Sequence, residues 1–391
     1  MVTYPEDTIE YSEIKKIYKR VKGTPITAEK MNTIKSLSGT IRVFAGGATE
    51  IKANISDLPS ANIINVPVVI VQSRGVIDFI YCDEPCTFKN EMWEYTSSDE
   101  SAVKFLFYYL KHNVEYFRNA GEGRSSFSQI SLPVTEKYKI PLISSKEQQA
   151  IASVLSDFDV HIDNLTKLIE KKKAIRDGAL EDLVSGKTRL DGFNGEWEDK
   201  SFKDLGDILT GLTYSPDNVR PFGKLVIRSS NVQDDRLVFG NNVFVDRSCV
   251  NSEDVKQGDI IICVRNGSSS LIGKSAYVTS DLDATFGAFM SNFRCENNRS
   301  SGFVYYFTKS IEFKNFVKQI LGATINQITK TDLKKLVLKI PVDIEEQQAI
   351  ALILTTMDEE IESLETEKGK MIEIREGAID DLLTGRVRLK E

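Results

Sequence analysis

The sequence predicts an α/β (α+β) protein in which two globular domains are separated by a long antiparallel two-helix coiled coil. Three observations predict this fold: a helical motif that occurs twice, apolar residues at coiled-coil spacing within each copy, and mixed strand and helix patterns before each copy. A chain of 391 residues is also too long for one typical core. We therefore expect a duplicated chain with a pseudo-twofold internal repeat.

The repeated motif starts with Ile-Pro, continues through Glu-Gln-Gln-Ala-Ile-Ala, and ends with a glycine and an Arg-Leu pair. One copy starts at Ile140 and the other at Ile340. Aligned without gaps from Glu147 and Glu346, the two 44-residue stretches share 20 identical residues. The segments before the copies agree only in scattered places, so the helical part is the common element and the preceding parts vary.

Each copy of the motif predicts one long helix. In the first copy the apolar residues recur in alternating steps of four and three, which is the seam of a coiled coil. They are Ile151, Leu155, Phe158, Ile162, Leu165 and Ile169. The segment Ser144-Ser145-Lys146-Glu147 is predicted to cap this helix because a serine hydroxyl can accept from unpaired amides of the first turn. Gly186 and Gly385 are typical of helix ends.

The segments before the helices predict two mixed α/β domains. In each, a buried strand ends at a basic residue, Arg74 or Arg265, and an aromatic helix and a polar loop with Gln-Ile follow, at Gln129 and Gln327. The predicted organisation is a first domain, a central helical spacer, a second domain and a C-terminal helical spacer, with boundaries at 1–140, 141–190, 191–339 and 340–391.

Composition excludes several classes of protein. Hydrophobic residues make up 41% of the chain and charged residues 27%, as in ordinary globular proteins. We see no run of about 18 apolar residues, no secretory signal pattern and no cysteine framework. We therefore expect a cytoplasmic protein without a membrane partner. The two histidines, His112 and His161, stand apart from any triad or metal pattern, so no catalytic or metal site is expected.

One segment resembles a phosphate-binding loop but does not satisfy its pattern. Gly273, Lys274 and Ser275 match the end of that motif, whereas Ser268 stands where its first glycine should be. A strand is predicted directly afterwards, although the motif needs a helix whose amides face the phosphates. Nucleotide binding is therefore not expected.

The net charge of −7 is distributed unevenly. Residues 340–391 contain 14 acidic and 6 basic side chains, and the rest of the chain is close to neutral. Phosphate binding requires local rather than global positive charge. The variable domains thus remain candidates for binding DNA, and the C-terminal helix does not.

Recognition chemistry is concentrated on the predicted loops. An arginine that follows a buried strand can donate two hydrogen bonds from its guanidinium group to a guanine edge or a phosphate. Hydroxyl and amide groups can hydrogen-bond to base edges. The predicted DNA-binding residues are Arg74, Arg124, Ser125, Ser126, Gln129, Arg228, Ser230, Asn231, Arg265, Asn266, Ser268, Lys274, Thr324, Asn326 and Gln327.

The paired Glu-Gln-Gln-Ala-Ile-Ala entries and Arg-x-Gly-Ala exits resemble the specificity subunits of type I restriction–modification systems. The resemblance implies two target-recognition domains, each reading one half of a split site in double-stranded DNA. It also implies helices that set the spacer length and dock two methyltransferase subunits, through residues such as Gln148, Gln149, Arg176, Gln347, Gln348 and Arg375. No cofactor is expected on this chain, and S-adenosylmethionine is expected on the methyltransferase partner. Restriction or translocase subunits are expected to join the full complex.

Two other classes stay open at the level of sequence. A coiled-coil adaptor for proteins, without DNA specificity, would show no salt-dependent DNA affinity even with partners present. A stand-alone DNA-modifying enzyme would transfer methyl groups or cleave DNA as the purified chain. The absence of recognisable catalytic motifs argues against the enzyme, and the resemblance favours the specificity subunit over the adaptor.

Overall fold

The computed structural model describes residues 9–46, 49–121, 128–323 and 326–389. The chain forms two compact units. The first unit extends to Thr166 and resumes at Thr366, and the second comprises Lys167–Glu365. Each unit therefore contains one variable segment together with the first part of one long helix and the last part of the other.

The described residues of the first unit form three small sheets and a set of helices. Its strands are β1 Tyr11–Glu13, β2 Lys19–Lys22, β3 Ile41–Ala45, β4 Thr49–Ala53, β5 Val68–Gln72, β6 Asp78–Cys82, β7 Cys86–Phe88, β8 Trp93–Thr96 and β9 Lys139–Pro141. Its helices are α1 Ile14–Ile17, α2 Ala28–Ile34, α3 Glu100–His112, α4 Val114–Asn119, α5 Leu132–Glu136 and the first part of α6 Ser145–Val184. The sheets have the strand orders β2-β8-β5-β6, β4-β3-β7 and β1-β9.

The second unit is built in the same way. Its strands are β10 Trp197–Ser201, β11 Gly206–Thr210, β12 Val219–Arg220, β13 Lys224–Ile227, β14 Val232–Gln233, β15 Arg236–Leu237, β16 Phe244–Val245, β17 Ile260–Cys263, β18 Ser275–Tyr277, β19 Ala284–Phe286, β20 Met290–Cys295 and β21 Val337–Pro341. Its helices are α7 Phe202–Leu205, α8 Ser301–Phe307, α9 Ile311–Ala323, α10 Lys330–Lys335 and the first part of α11 Ile344–Leu383. The sheets are β11-β20-β17-β18, β12-β16-β13-β19, β10-β21 and the hairpin β14-β15.

The two units repeat one topology, which confirms the predicted mixed fold and internal repeat. The antiparallel sheet β2-β8-β5-β6 corresponds to β11-β20-β17-β18, and the pair β1-β9 corresponds to β10-β21. A parallel pair occurs in each second sheet, β3 with β7 and β13 with β19. The second unit adds the β14-β15 hairpin, which has no counterpart among the first unit's described strands.

The central strand of each unit is buried on both faces. In β5, Val69 and Val71 pack with α3, whereas Val68 and Ile70 pack with the sheet that contains β3 and β7. In β17, alternate residues likewise enter two different clusters. A strand covered on both sides needs a continuous apolar run, which is why both strands could be predicted.

Both long helices begin and end as the motif predicts. The hydroxyl of Ser144 accepts a hydrogen bond from the amide of Glu147 at 3.2 Å, so the predicted cap is confirmed. Gly186 and Gly385 have φ angles of 70° and 74°, which end the two helices in the left-handed conformation. Each helix is 40 residues long and continuous.

A buried carboxylate joins the two helices within each unit. In the second unit, Glu346 is fully buried and accepts from Arg189 at 2.6 and 2.8 Å. In the first unit, Glu147 accepts from both Nε and Nη2 of Arg388 in the same way. In each case the start of one helix bonds to the residue just beyond the end of the other.

Further ion pairs follow the same pattern along the helices. Asp159 accepts from Arg375 at 2.6 Å in the first unit, and Asp358 accepts from Arg176 at 2.5 Å in the second. With increasing distance from the buried glutamate, residue numbers increase along one helix and decrease along the other. The two helix segments of each unit therefore run antiparallel.

One buried acid differs between the units. Glu94 in β8 is fully buried, and neither of its carboxylate oxygens has a hydrogen-bond partner among the residues described. The matching position in β20 is Asn292, whose amide donates to Asp259 at 2.6 Å. Burial without a partner disfavours the charged form, and it raises the pKa of Glu94 to about 8.

Glu94→Gln is expected to remove a pH dependence of folding. Because the folded pKa is raised, the folded state holds a proton that the unfolded state loses above its ordinary pKa of 4.5. The contribution of Glu94 to stability is thus present below that value and is lost as pH rises through about 8. Between pH 5 and 8, urea unfolding should show the wild type losing roughly 1–3 kcal/mol more stability than Glu94→Gln.

Glu29→Gln, at an exposed carboxylate in α2, is the control for that measurement. It should reproduce the pH profile of the wild type. Equal slopes for Glu94→Gln and the wild type would show that Glu94 is not protonated in the folded chain.

Candidate nucleic-acid interface

Each unit joins a basic residue to the Gln-Ile segment through its backbone. Arg74 forms an antiparallel bridge with Gln129, and Arg265 forms the same bridge with Gln327. Backbone bonds flank both bridges: Ile130 donates to the carbonyl of Ser73 at 3.0 Å, and Ile328 donates to that of Val264 at 2.8 Å. Two features that are far apart in sequence therefore form one site in each half.

The first-unit surface consists of Arg74 and Gln129, both exposed. Three predicted contacts nearby in sequence, Arg124, Ser125 and Ser126, lie outside the described residues. Thr324 in the second unit also lies outside them.

The second-unit surface is defined by the exposed or half-buried residues that three linked loops bring together. The Asn266 amide donates to the Ser229 hydroxyl at 3.0 Å, and the Asn326 amide donates to the carbonyl of Gly267 at 3.4 Å. The surface comprises Arg228, Ser230, Arg265, Asn266, Ser268, Lys274, Asn326 and Gln327. Most of the residues predicted for this domain are thus collected on one face of the unit.

An aromatic side chain that the sequence did not single out belongs to this surface. Phe289 is 53% exposed, and the Arg265 guanidinium lies 5.2 Å from its ring centroid. Together with Tyr214, Arg228 and Asn266, it lines an open cavity of about 830 Å³. An aromatic face beside guanidinium and amide groups is chemistry that suits unstacked or exposed bases. The only sequence feature that could have pointed to Phe289 was that a large apolar residue follows Gly-Ala in a turn between two strands.

A second, smaller cleft lies beside the same loops. Its volume is about 410 Å³, and Ser230 and Gln233 face Leu271 and Lys274 across it. The Ser268 hydroxyl is exposed nearby and lies 2.8 Å from that of Ser270. Hydroxyl, amide and ammonium groups around one cleft can contact phosphates or base edges.

The sequence predicts that Asn231 contacts DNA directly, but the structure buries its side chain. Its side chain is only 1% exposed; it accepts from the amide of Arg228 at 3.0 Å and donates to the carbonyl of Val238 at 2.9 Å. These bonds hold the loop that carries Arg228 and Ser230. Asn231 therefore shapes the surface from inside, because a buried amide satisfied on both sides does not reach a ligand.

The predicted partner-binding residues are mostly engaged within their own units. Gln347 is buried and donates to the carbonyl of Pro341 at 2.6 Å, and Gln348 accepts from Arg299. Gln148 donates to the carbonyl of Ile143 at 3.3 Å, whereas Gln149 is exposed. Arg176 and Arg375 form the helix ion pairs already described. Their assignment as partner contacts stays a prediction.

The two histidines of the sequence lie beside acidic residues of the long helices. His112 and His161 lie 3.7 and 3.5 Å from Asp380 and Glu367 on the long helices. Within the described ranges, no group of three or more His, Cys, Asp or Glu side chains is arranged to hold a metal ion. Nor does any helix of the described part of the chain have the length and apolar character needed to cross a membrane. The segment after Lys274 forms strand β18, as predicted, whereas a phosphate-binding loop needs a helix at this point.

The sequence matches the family model for the type I restriction modification DNA specificity domain twice, over residues 7–174 and 194–373. The chain belongs to this family. The two matches give it two target-recognition domains, one in each half of the sequence. Among curated relatives, the MjaVIII specificity subunit of Methanocaldococcus jannaschii is 26% identical over 73% of this chain and 70% of its own length. The EcoKI specificity subunit of Escherichia coli is 32% identical over 40% of this chain and 35% of its own length.

Solved structures show the same fold. The S subunit of a type I restriction–modification system from M. genitalium superposes with a TM-score of 0.69 at 17% identity, covering 96% of this chain and 97% of that one. A chain from a study of complex assembly and conformational transition in a type I system gives a TM-score of 0.53 at 12% identity, covering 99% and 100%. At these identities the likeness concerns the fold alone.

Arg265→Ala is expected to relax sequence discrimination at one base position. A guanidinium fork on a guanine edge contributes about 1–3 kcal/mol of discrimination, and alanine abolishes it. Arg265 is exposed, so its loss should leave folding intact. Competition binding by the assembled complex, with duplexes that differ at single positions, measures the effect.

Arg247→Ala is the matched control, because this exposed arginine of the second unit pairs with Asp283 away from the linked loops. It should leave discrimination unchanged. A uniform loss of affinity for all duplexes in Arg265→Ala, with a smaller salt dependence, would instead place this side chain on a phosphate.

Proposed function

We propose that this specificity subunit reads a split target in double-stranded DNA, one half with each unit. The observation that carries the proposal is the repeated bridge of an exposed arginine to the Gln-Ile segment, Arg74 with Gln129 and Arg265 with Gln327. The same frame holds these pairs in both units, and the loops around them differ in sequence. One frame with two different surfaces is what a bipartite target requires.

We further propose that the two long helices form a coiled coil that sets the spacer between the half-sites. The support is that α6 and α11 have the same length of 40 residues and repeat one apolar pattern. Half-site spacing follows protein geometry in other DNA-binding proteins. The helices would also dock two methyltransferase subunits, which carry S-adenosylmethionine, and restriction subunits would complete the complex.

The exposed surfaces of the helices favour a partner role over DNA contact. Val160 and Ile374 in the first unit, and Leu168, Ile175 and Leu352 in the second, are apolar side chains left exposed on them. The acidic excess of residues 340–391 would repel phosphates. Exposed apolar side chains on both helices, together with the acidity of α11, suit a protein partner.

Replacing residues 191–339 with the equivalent segment of a relative should change one half of the target and preserve the other. The reason is that this segment holds the loops of the second unit but leaves the first unit's loops untouched. Methylome sequencing of cells that express the chain with its modification partner measures both half-sites at once. The wild-type chain is the control and should give one bipartite target. A change in both halves, or a continuous target, would refute the modular proposal.

Inserting seven residues into each long helix, at equivalent points of the two copies, should lengthen the spacer and leave both half-sites unchanged. A heptad adds about 10 Å of helix and preserves the apolar seam. The same methylome assay measures the distance between half-sites, and a two-residue insertion, which turns the apolar seam to the opposite side of the helix, is the control. An unchanged spacer in the heptad variant would show that the helices do not set it.

A further inference from the structure

A buried lysine lies beneath the second-unit surface. Lys309 follows α8, and its side chain is only 10% exposed. Its ammonium donates to the carbonyl of Ser275 at 2.5 Å and pairs with the Asp235 carboxylate at 2.7 Å. It also lies 4.7 Å from the centroid of the Tyr305 ring. One cation thus has three partners from different parts of the unit.

The two polar partners of Lys309 stand at the bases of two recognition loops. Ser275 begins β18 and directly follows Lys274, and its hydroxyl bonds to that of Thr308 at 2.6 Å. Asp235 lies in the turn of the β14-β15 hairpin, which follows Ser230. These loops form the two walls of the smaller cleft. The ammonium therefore fixes one wall relative to the other.

The hairpin turn needs this support because its backbone is strained. Asp234 and Asp235 have φ angles of 45° and 66°, in the left-handed region that side chains other than glycine rarely adopt. The Tyr305 hydroxyl donates to the carbonyl of Asp235 at 2.9 Å while Lys309 holds its carboxylate. The turn is thus held from both its main chain and its side chain.

The first unit has a corresponding lysine. Lys111 lies near the end of α3, and its ammonium contacts both carboxylate oxygens of Asp78, at 2.6 and 2.7 Å. Asp78 begins β6, the strand that corresponds to β18. This lysine is 41% exposed, so its hold is weaker than that of Lys309. The duplication has kept a lysine that ties the aromatic helix to the strand returning from the recognition loop.

We propose that Lys309 is a positioning residue for the second half-site and that Lys111 has the same task for the first. Neither side chain touches DNA; each holds the loops that do. The inference rests on the proposed function, because it names the residues that keep each recognition surface in shape. Its specific content is that each lysine controls discrimination in one half of the target only.

Lys309→Met separates positioning from folding. Burial lowers the pKa of Lys309 to about 8 although Asp235 opposes that change, so the buried charge is a cost to the fold. Methionine fills similar space without that cost, and Asp235 is 49% exposed and can stay hydrated. The variant should therefore remain folded while the two loops lose their common anchor.

The test uses the full chain in its complex with the modification partner and duplexes that carry the target found by methylome sequencing. Lys309→Met should reduce discrimination against base changes in the second half-site by about tenfold, with first-half discrimination unchanged. Lys111→Met should show the reverse, with a smaller effect because Asp78 is already solvated. Lys335→Met, at an exposed lysine of α10, is the control and should discriminate as the wild type does.

The readout distinguishes the inference from a general loss of structure. Partial unfolding would lower activity on every duplex equally, whereas loss of positioning changes the ratio between duplexes. Unchanged second-half discrimination in Lys309→Met, or an equal loss in both halves, would overturn the inference. Absence of sequence-specific methylation with the wild-type chain would overturn the proposed function instead.

Discussion

The fold depends on a buried carboxylate at the start of each long helix. Glu346 accepts two bonds from Arg189 and a third from the Trp197 indole at 3.4 Å, and Trp197 begins the strand that pairs with the segment entering α11. One side chain therefore joins two helix ends to the strand pair that closes the domain. Removing one partner from such a buried pair costs roughly 3–5 kcal/mol, because the other charge is left without compensation. The same glutamate and arginine occur in both copies of the motif.

Because the buried glutamates hold the frame of each unit, the recognition loops can vary in sequence without loss of the fold. Arg74 and Arg265 follow strands whose two faces are both covered, so their backbones are held in place while the side chains point outward. The second surface then adds Phe289 and the hairpin secured by Lys309, which the described part of the first does not match. The units thus share a frame but differ in chemistry, as two readers of different sequences would.

The sequence predicted what local pattern and internal repetition encode. The long helices and the buried strands followed from periodicity and apolar runs, and matched placement in the two halves singled out the Arg and Gln-Ile positions. The backbone bridge that joins Arg74 to Gln129 and Arg265 to Gln327 was not predicted. The pairing of Glu147 with Arg388 did not, because the two residues are 241 positions apart and no local signal links them. Asn231 was misplaced for a related reason: an asparagine that bonds its own loop has the same residue type as one that reads a base.

The first unit is made of two segments that flank the second unit in sequence, and this affects folding during translation. The second unit is one continuous segment, Lys167–Glu365, so all its residues are available once that segment has left the ribosome. The first unit must wait for the residues beyond Thr366, including Arg388. The N-terminal unit is therefore the last to be completed. Until Arg388 has been made, Glu147 remains without its arginine and the first unit stays incomplete.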